Sequence, residues 1–154
     1  MSAELLGYIS AIGTVATAIG VFLAWQQLLH SRRQAQTAFE DGLAREYREI
    51  ALRLPLGALL WEDVDLERDP EALEHFYHYF DLSNEEVFLR QNLRVSKQTW
   101  ISWCGGIQSN LSRPAFQKAW AAIKERSRTD FQELRRLEKC GFAEDPASWG
   151  RTGA

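Results

Sequence analysis

Apolar and polar residues are distributed unevenly along the chain, and the unevenness divides it into segments. From Leu5 to Trp25 there is no charged residue, proline, asparagine or glutamine. A helix of that length, at about 1.5 Å per residue, spans roughly the 30 Å hydrocarbon layer of a bilayer. A cleaved signal peptide opens on Lys or Arg and ends in a small-residue cleavage site. This chain opens "MSAE" and places its first basic residues, Arg32 and Arg33, after the apolar run. The pattern predicts an uncleaved transmembrane helix over residues 5–29 rather than a buried helix of a water-soluble domain. The flanking arginines place the N-terminus outside and the remainder in the cytoplasm, with Tyr8 and Trp25 suited to the two interfaces.

Small residues recur inside this run. Ser10, Gly13, Thr17, Gly20 and Ala24 follow one another at alternating steps of three and four, which puts them on one side of a helix. In lipid, helices associate through close backbone approach over such residues. The seam is therefore a candidate contact with a second copy or with another membrane protein.

The period changes little beyond the run, but polar residues enter. Phe39, Leu43, Tyr47, Ile50 and Leu54 form a stripe at helical spacing, supported by the i,i+4 pairs Asp41 with Arg45 and Glu49 with Arg53. This predicts a helical stalk over residues 30–55, ended by Pro55. A helical domain is expected over residues 56–141. Asp69 caps a helix with Pro70 at its first position, and Leu73, Phe76, Tyr77 and Phe80 form its apolar face. The phase continues to Val87 and Phe88, but Ser83 and Glu86 form a capping box that predicts a bend or restart. Ser96 caps the next helix, with Trp100, Trp103, Cys104, Ile107 and Leu111 on one face. Pro114 opens a last helix carrying Phe116, Ala119, Trp120, Ile123, Phe131 and Leu134, closed by Gly141. With no alternating strand pattern and no repeat, the expected fold is all-α. The composition of residues 142–154 predicts a flexible tail.

Composition narrows the picture only a little. A chain of 154 residues, 45% hydrophobic and 25% charged, has room for one modest domain. Glu4 is the only charge before Arg32, and the mildly acidic remainder exerts no general pull on nucleic acid. Two cysteines, Cys104 and Cys140, are too few for a disulfide framework or a zinc site.

The runs "FEDGLAREYREIALRLP", "HFYHYFDLSNEEVFLRQNLRVSKQTWISWCGGI" and "RPAFQKAW", behind a single apolar span, resemble small bacterial single-span membrane proteins of the domain-of-unknown-function 4760 family. The resemblance covers most of residues 5–140 and rests on aromatic spacing. It implies a bacterial inner-membrane protein with a short helical cytoplasmic domain, and it assigns no active site.

Candidate chemistry is sparse. In "EALEHFYH", Glu71, Glu74, His75 and His78 fall on one helix face, where carboxylates and imidazoles one turn apart share metal ions in some helical bundles. No other Glu-x-x-His pair exists to complete such a site, so a solvated polar face is the alternative. Gly105 and Gly106, inside a helix, suggest close packing, a kink or a ligand approaching the backbone. Cys104 sits on an apolar stripe, as a core thiol does and a nucleophile does not. Trp61 and Trp149 lie off any stripe and are candidate partner contacts. Arg90, Arg94, Lys97 and Arg113 form a weak basic group. These features together predict a non-enzymatic, membrane-anchored tethering protein of the inner membrane, without cofactor, whose partners are the lipid bilayer and itself or another membrane protein. Alternatives are an accessory subunit of a larger complex, a metal-binding enzyme or sensor using the Glu/His face, and a membrane effector of phage defence or exclusion.

Overall fold

The computed structural model describes the backbone of residues 3–150 and, within them, side chains from Thr17 onward. Among these residues the protein is all-helical, as expected: α1 (Ala3–Ala51), α2 (Leu56–Leu59), α3 (Pro70–Gln91), α4 (Lys97–Leu111), α5 (Pro114–Arg126), α6 (Gln132–Lys139) and a final 3-10 turn (Pro146–Ser148). The chain divides into two compact units, Met1–Phe39 and Glu40–Ala154.

In the first unit, Ile19, Val21, Phe22, Leu23, Trp25 and Leu28 of α1 are each more than half exposed. Successive exposed apolar residues over this stretch lie all around the helix, not along one stripe. Among the described residues, no helix is long and apolar enough to cross a membrane. The side chains of residues 5–16, which make up the first half of the apolar run and include Ser10 and Gly13, lie outside the described residues. Thr17, Gly20 and Ala24 are exposed, and a Cβ placed on Gly20 meets no atom within 4 Å.

The second unit is built around α3, which packs against α4, α5, α6 and the 3-10 turn. Its start follows the sequence: Asp69 accepts a hydrogen bond from the Ala72 N–H at 3.1 Å, ahead of Pro70 at the first helical position. The restart expected at Ser83 does not occur. The Ser83 hydroxyl instead donates to the Tyr79 carbonyl at 2.9 Å, a bond available only inside a continuing helix. The unbroken α3 therefore presents Phe76, Tyr79, Phe80 and Val87 to one core, all buried.

That core is aromatic. Phe116 of α5 stands edge-on to Phe76 and Tyr79, with ring centroids 4.9 and 5.1 Å away. Trp120 lies 4.8 Å from Phe80 and 5.6 Å from Phe131. Three of these four contacts are edge-to-face and the Phe80–Trp120 pair is tilted at 43°, geometries that add to the burial of large apolar surface.

The single helix expected from Pro114 to Gly141 is two. Phe131 adopts φ 59° and breaks the path between α5 and α6. Both new helix ends find partners: Arg135 donates to the Lys124 and Ser127 carbonyls at 3.2 and 2.7 Å, and Asn84 of α3 accepts from the Leu134 N–H at 3.0 Å. Gly141, at φ 63°, closes α6, with the Phe142 N–H bonding the Leu137 carbonyl at 3.1 Å in a Schellman arrangement.

The segment expected to be a flexible tail is held down as far as Gly150. Arg90, only 7% exposed, donates from Nε and Nη2 to the two Asp145 oxygens at 2.8 and 2.6 Å and from Nη1 to the Val95 carbonyl at 2.9 Å. Asp145 also caps the 3-10 turn through the Ala147 N–H, and Gln91 donates to the Gly150 carbonyl at 2.7 Å. The fork of Arg90 holds the Asp145 carboxyl below the usual carboxylate range. Its contribution to stability is therefore present above the ordinary carboxylate pKa and is lost as the pH falls through the lowered one. Asp145→Ala is expected to cost on the order of 2–3 kcal/mol at neutral pH, because a buried guanidinium loses its counter-charge. Denaturant unfolding of both proteins measures this, and a loss that does not shrink on acidification below about pH 4 would contradict the assignment.

At its other side the unit is closed by Glu40, the first residue of this unit. Its carboxylate accepts from the Ser96 N–H at 2.7 Å and the Thr99 hydroxyl at 2.5 Å, at the N-terminus of α4 where negative charge is favoured.

Candidate functional site

Three helices of the second unit leave a cavity of about 290 Å³ between them. From α1 come Ala44, Tyr47 and Arg48; from α3, Tyr79, Ser83 and Glu86; from α4, Ser102, Trp103, Gly106 and Ile107. Within each set the residues lie one turn apart or side by side, so each helix turns one face to the same space.

The residue that sets the character of the cavity is Glu86. It is 4% exposed, and among the described residues no hydrogen-bond donor or cation meets its carboxylate. Burial, and then the negative charges of Glu46 and Glu85, push its carboxyl up to about 8. At neutral pH it holds a proton, and it can donate one hydrogen bond or, once ionised, meet a cation. Arg48 lines the same cavity but is exposed and forms no ion pair with it. Beside Glu86, the buried Tyr79 hydroxyl accepts from Asn110 Nδ2 at 2.9 Å, and burial holds the phenol well above its ordinary range. The Tyr47 ring lies edge-on to Tyr79 at 6.3 Å.

The glycine pair on α4 has a different role from close packing. A Cβ placed on Gly105 or Gly106 meets nothing within 4 Å. Each glycine costs about 1 kcal/mol relative to Ala inside a helix. At Gly106 that cost leaves open space in the cavity wall.

The residues singled out from the sequence are scattered. His75 and His78 face a separate cleft of about 240 Å³ with Glu46, Glu49, Asp81 and Glu85, while Glu71 and Glu74 stand exposed on the outer side of α3. His78 lies 3.8 Å from Glu74. Among the described residues, no three His, Cys, Asp or Glu come together to hold a metal ion. Glu71, Glu74, His75 and His78 are thus not brought together as one set, because Glu71 and Glu74 do not line the cleft that His75 and His78 share. Cys104 is half-buried rather than a core residue, and burial raises its thiol pKa, the opposite of what activates a nucleophile.

Trp61 remains 57% exposed, with φ 66° and the Arg113 guanidinium 5.9 Å from its ring. Trp149 is engaged within the chain: Arg136 stacks 4.3 Å from its ring and its Nε1 donates to Glu144 at 2.8 Å. The basic group dissolves, since Arg90 is spent on Asp145. Sequence reading missed Glu86 as a site residue and gave it a capping role. The signal that could have found it is its place one turn beyond Ser83 and two beyond Tyr79, on a face now known to be buried.

The arrangement defines an all-α domain with an acidic, aromatic-walled cavity. No family model, curated protein or solved structure matches the chain.

Proposed function

We propose that the protein is a membrane-anchored, non-enzymatic helical interaction protein, held by its N-terminal apolar helix with the unit Glu40–Ala154 on the cytoplasmic side. The observation that carries this reading is the stretch of α1 from Ile19 to Leu28, whose large apolar side chains are exposed all around the helix and continue the uncharged run from Leu5. An apolar surface of that kind requires cover. Lipid supplies cover on every side at once, and Arg32 and Arg33 follow where a cytoplasmic boundary falls. The second unit has its own core and caps, as a domain displayed at a membrane surface requires.

Alkaline carbonate washing of membranes from expressing cells tests the anchor. The full chain is expected to stay in the pellet and to leave it only with detergent, and a green fluorescent protein fused after Ala154 is expected to fluoresce. Release by carbonate overturns the anchor, and a dark fusion in the pellet overturns the orientation. The interaction half is tested by mass measurement in mild detergent: a complex of two or more chains, or a co-purifying membrane protein, is expected, and a lone monomer counts against it. Gly13→Leu with Gly20→Leu is expected to dissolve that complex if the small-residue seam forms it.

A further inference from the structure

We propose that the cavity between α1, α3 and α4 binds a small organic amine, whose ammonium pairs with the Glu86 carboxylate while its apolar body lies against Tyr47, Trp103 and Ile107. The inference concerns the second unit alone and does not depend on membrane attachment.

Four observations converge on this ligand class. Glu86 is 4% exposed and lines the cavity, and among the described residues its carboxylate has no hydrogen-bond or ion-pair partner. Ionising such a group is costly unless a counter-charge arrives with its own hydrogen bonds. The charges around it select the sign of that counter-charge. Glu46 of α1 and Glu85 of α3 line the separate cleft but add negative charge at Glu86, Tyr79 of α3 stays neutral, the exposed Arg48 of α1 lines the cavity, and α4 contributes no titratable group to the lining. At Glu86 itself a cation is favoured over an anion. The walls then select the body of the ligand: Tyr47 and Trp103 line the cavity, aromatic rings being surfaces that attract an ammonium, and Ile107 adds apolar lining. A divalent metal ion is a poor fit, because it demands several oxygen ligands and only one carboxylate lines this cavity. Finally, about 290 Å³ is at the small end of ligand pockets, and Gly106 lines that space, where a Cβ would meet no atom within 4 Å.

Binding an ammonium requires the ionised carboxylate, so the proton on Glu86 passes to solvent as the ion pair forms. Affinity therefore rises with pH and levels off once Glu86 is ionised without ligand, while an alkylammonium keeps its charge to about pH 10.

The test is isothermal titration calorimetry on the full chain purified in mild detergent, with phenethylamine as probe and 2-phenylethanol as its neutral analogue. Saturable binding of phenethylamine is expected, with affinity rising about tenfold or more between roughly pH 6 and pH 9. The neutral analogue and Glu86→Gln are each expected to show at least about a tenfold loss. Gly106→Leu, which keeps the carboxyl but fills the space, is expected to abolish binding. Circular dichroism establishes that both variants retain helical content. Equal affinity for 2-phenylethanol, undiminished binding by Glu86→Gln or Gly106→Leu, or no saturable binding at any pH overturns the proposal.

Discussion

Glu86→Gln is expected to stabilise the protein against unfolding at pH 8 and above by several kcal/mol, and to make little difference near pH 4.5. In the folded protein the carboxyl is pushed up to about 8, whereas in the unfolded chain it titrates near its ordinary 4.5. Between these values the folded state keeps a proton that the unfolded state has released, so the wild type loses stability as the pH rises. Each pH unit in the window is worth roughly 1.4 kcal/mol if the rest of the protein does not relax. Water entering the cavity reduces that figure, so a difference of about 3 kcal/mol at pH 8 is the reasonable expectation. Gln fills the same space, is neutral at every pH and removes the titration. Urea unfolding of the two proteins across about pH 5 to pH 9 reads the effect, with no amine present. Parallel stability curves would show that Glu86 is hydrated or paired in solution.

The second large effect is expected at Phe116. It is fully buried, and its ring stands edge-to-face with Phe76, Tyr79 and Phe80 of α3, so it ties α5 to one turn of the central helix. Phe116→Ala removes that ring and leaves a void among neighbours too rigid to close it, for a cost of about 3–5 kcal/mol. Phe116→Leu keeps most of the volume and is expected to cost less than half as much. Equilibrium unfolding orders the two variants, and equal, small losses would mean that the aromatic cluster repacks freely.

The helices were legible where one local cause decided them. Asp69 and Pro70 start α3, Ser96 starts α4, Pro114 starts α5 and Gly141 stops α6 because caps and breakers act within a few residues. Misreadings arose where a distant partner decided. Ser83 carried a capping pattern, but a continuing apolar face held α3 together. Asp145 and Pro146 repeat the cap-and-proline signature of Asp69 and Pro70, yet the polar residues around them read as a tail, because Arg90 lies 55 positions away. The cavity was invisible for the same reason. Its lining is drawn from three helices, and the burial of Glu86 depends on α1 and α4 covering it. Gly105 and Gly106 did announce something unusual, but only three dimensions distinguish a glycine that admits a neighbouring helix from one that leaves a void.

The polar residues along the second half of α3 also bear on how the chain is completed. Asn84, Arg90 and Gln91 receive, in order, Leu134, Asp145 and Gly150. Synthesis runs from the N-terminus, so α3 is made well before these three partners. Until Asp145 emerges, the guanidinium that the finished protein encloses has no carboxylate to meet, and α3 remains an open groove waiting for its own C-terminal strap. Nascent chains stalled ahead of Asp145 would carry that face of α3 uncovered, so the domain is sealed only after Asp145 and Gly150 have emerged.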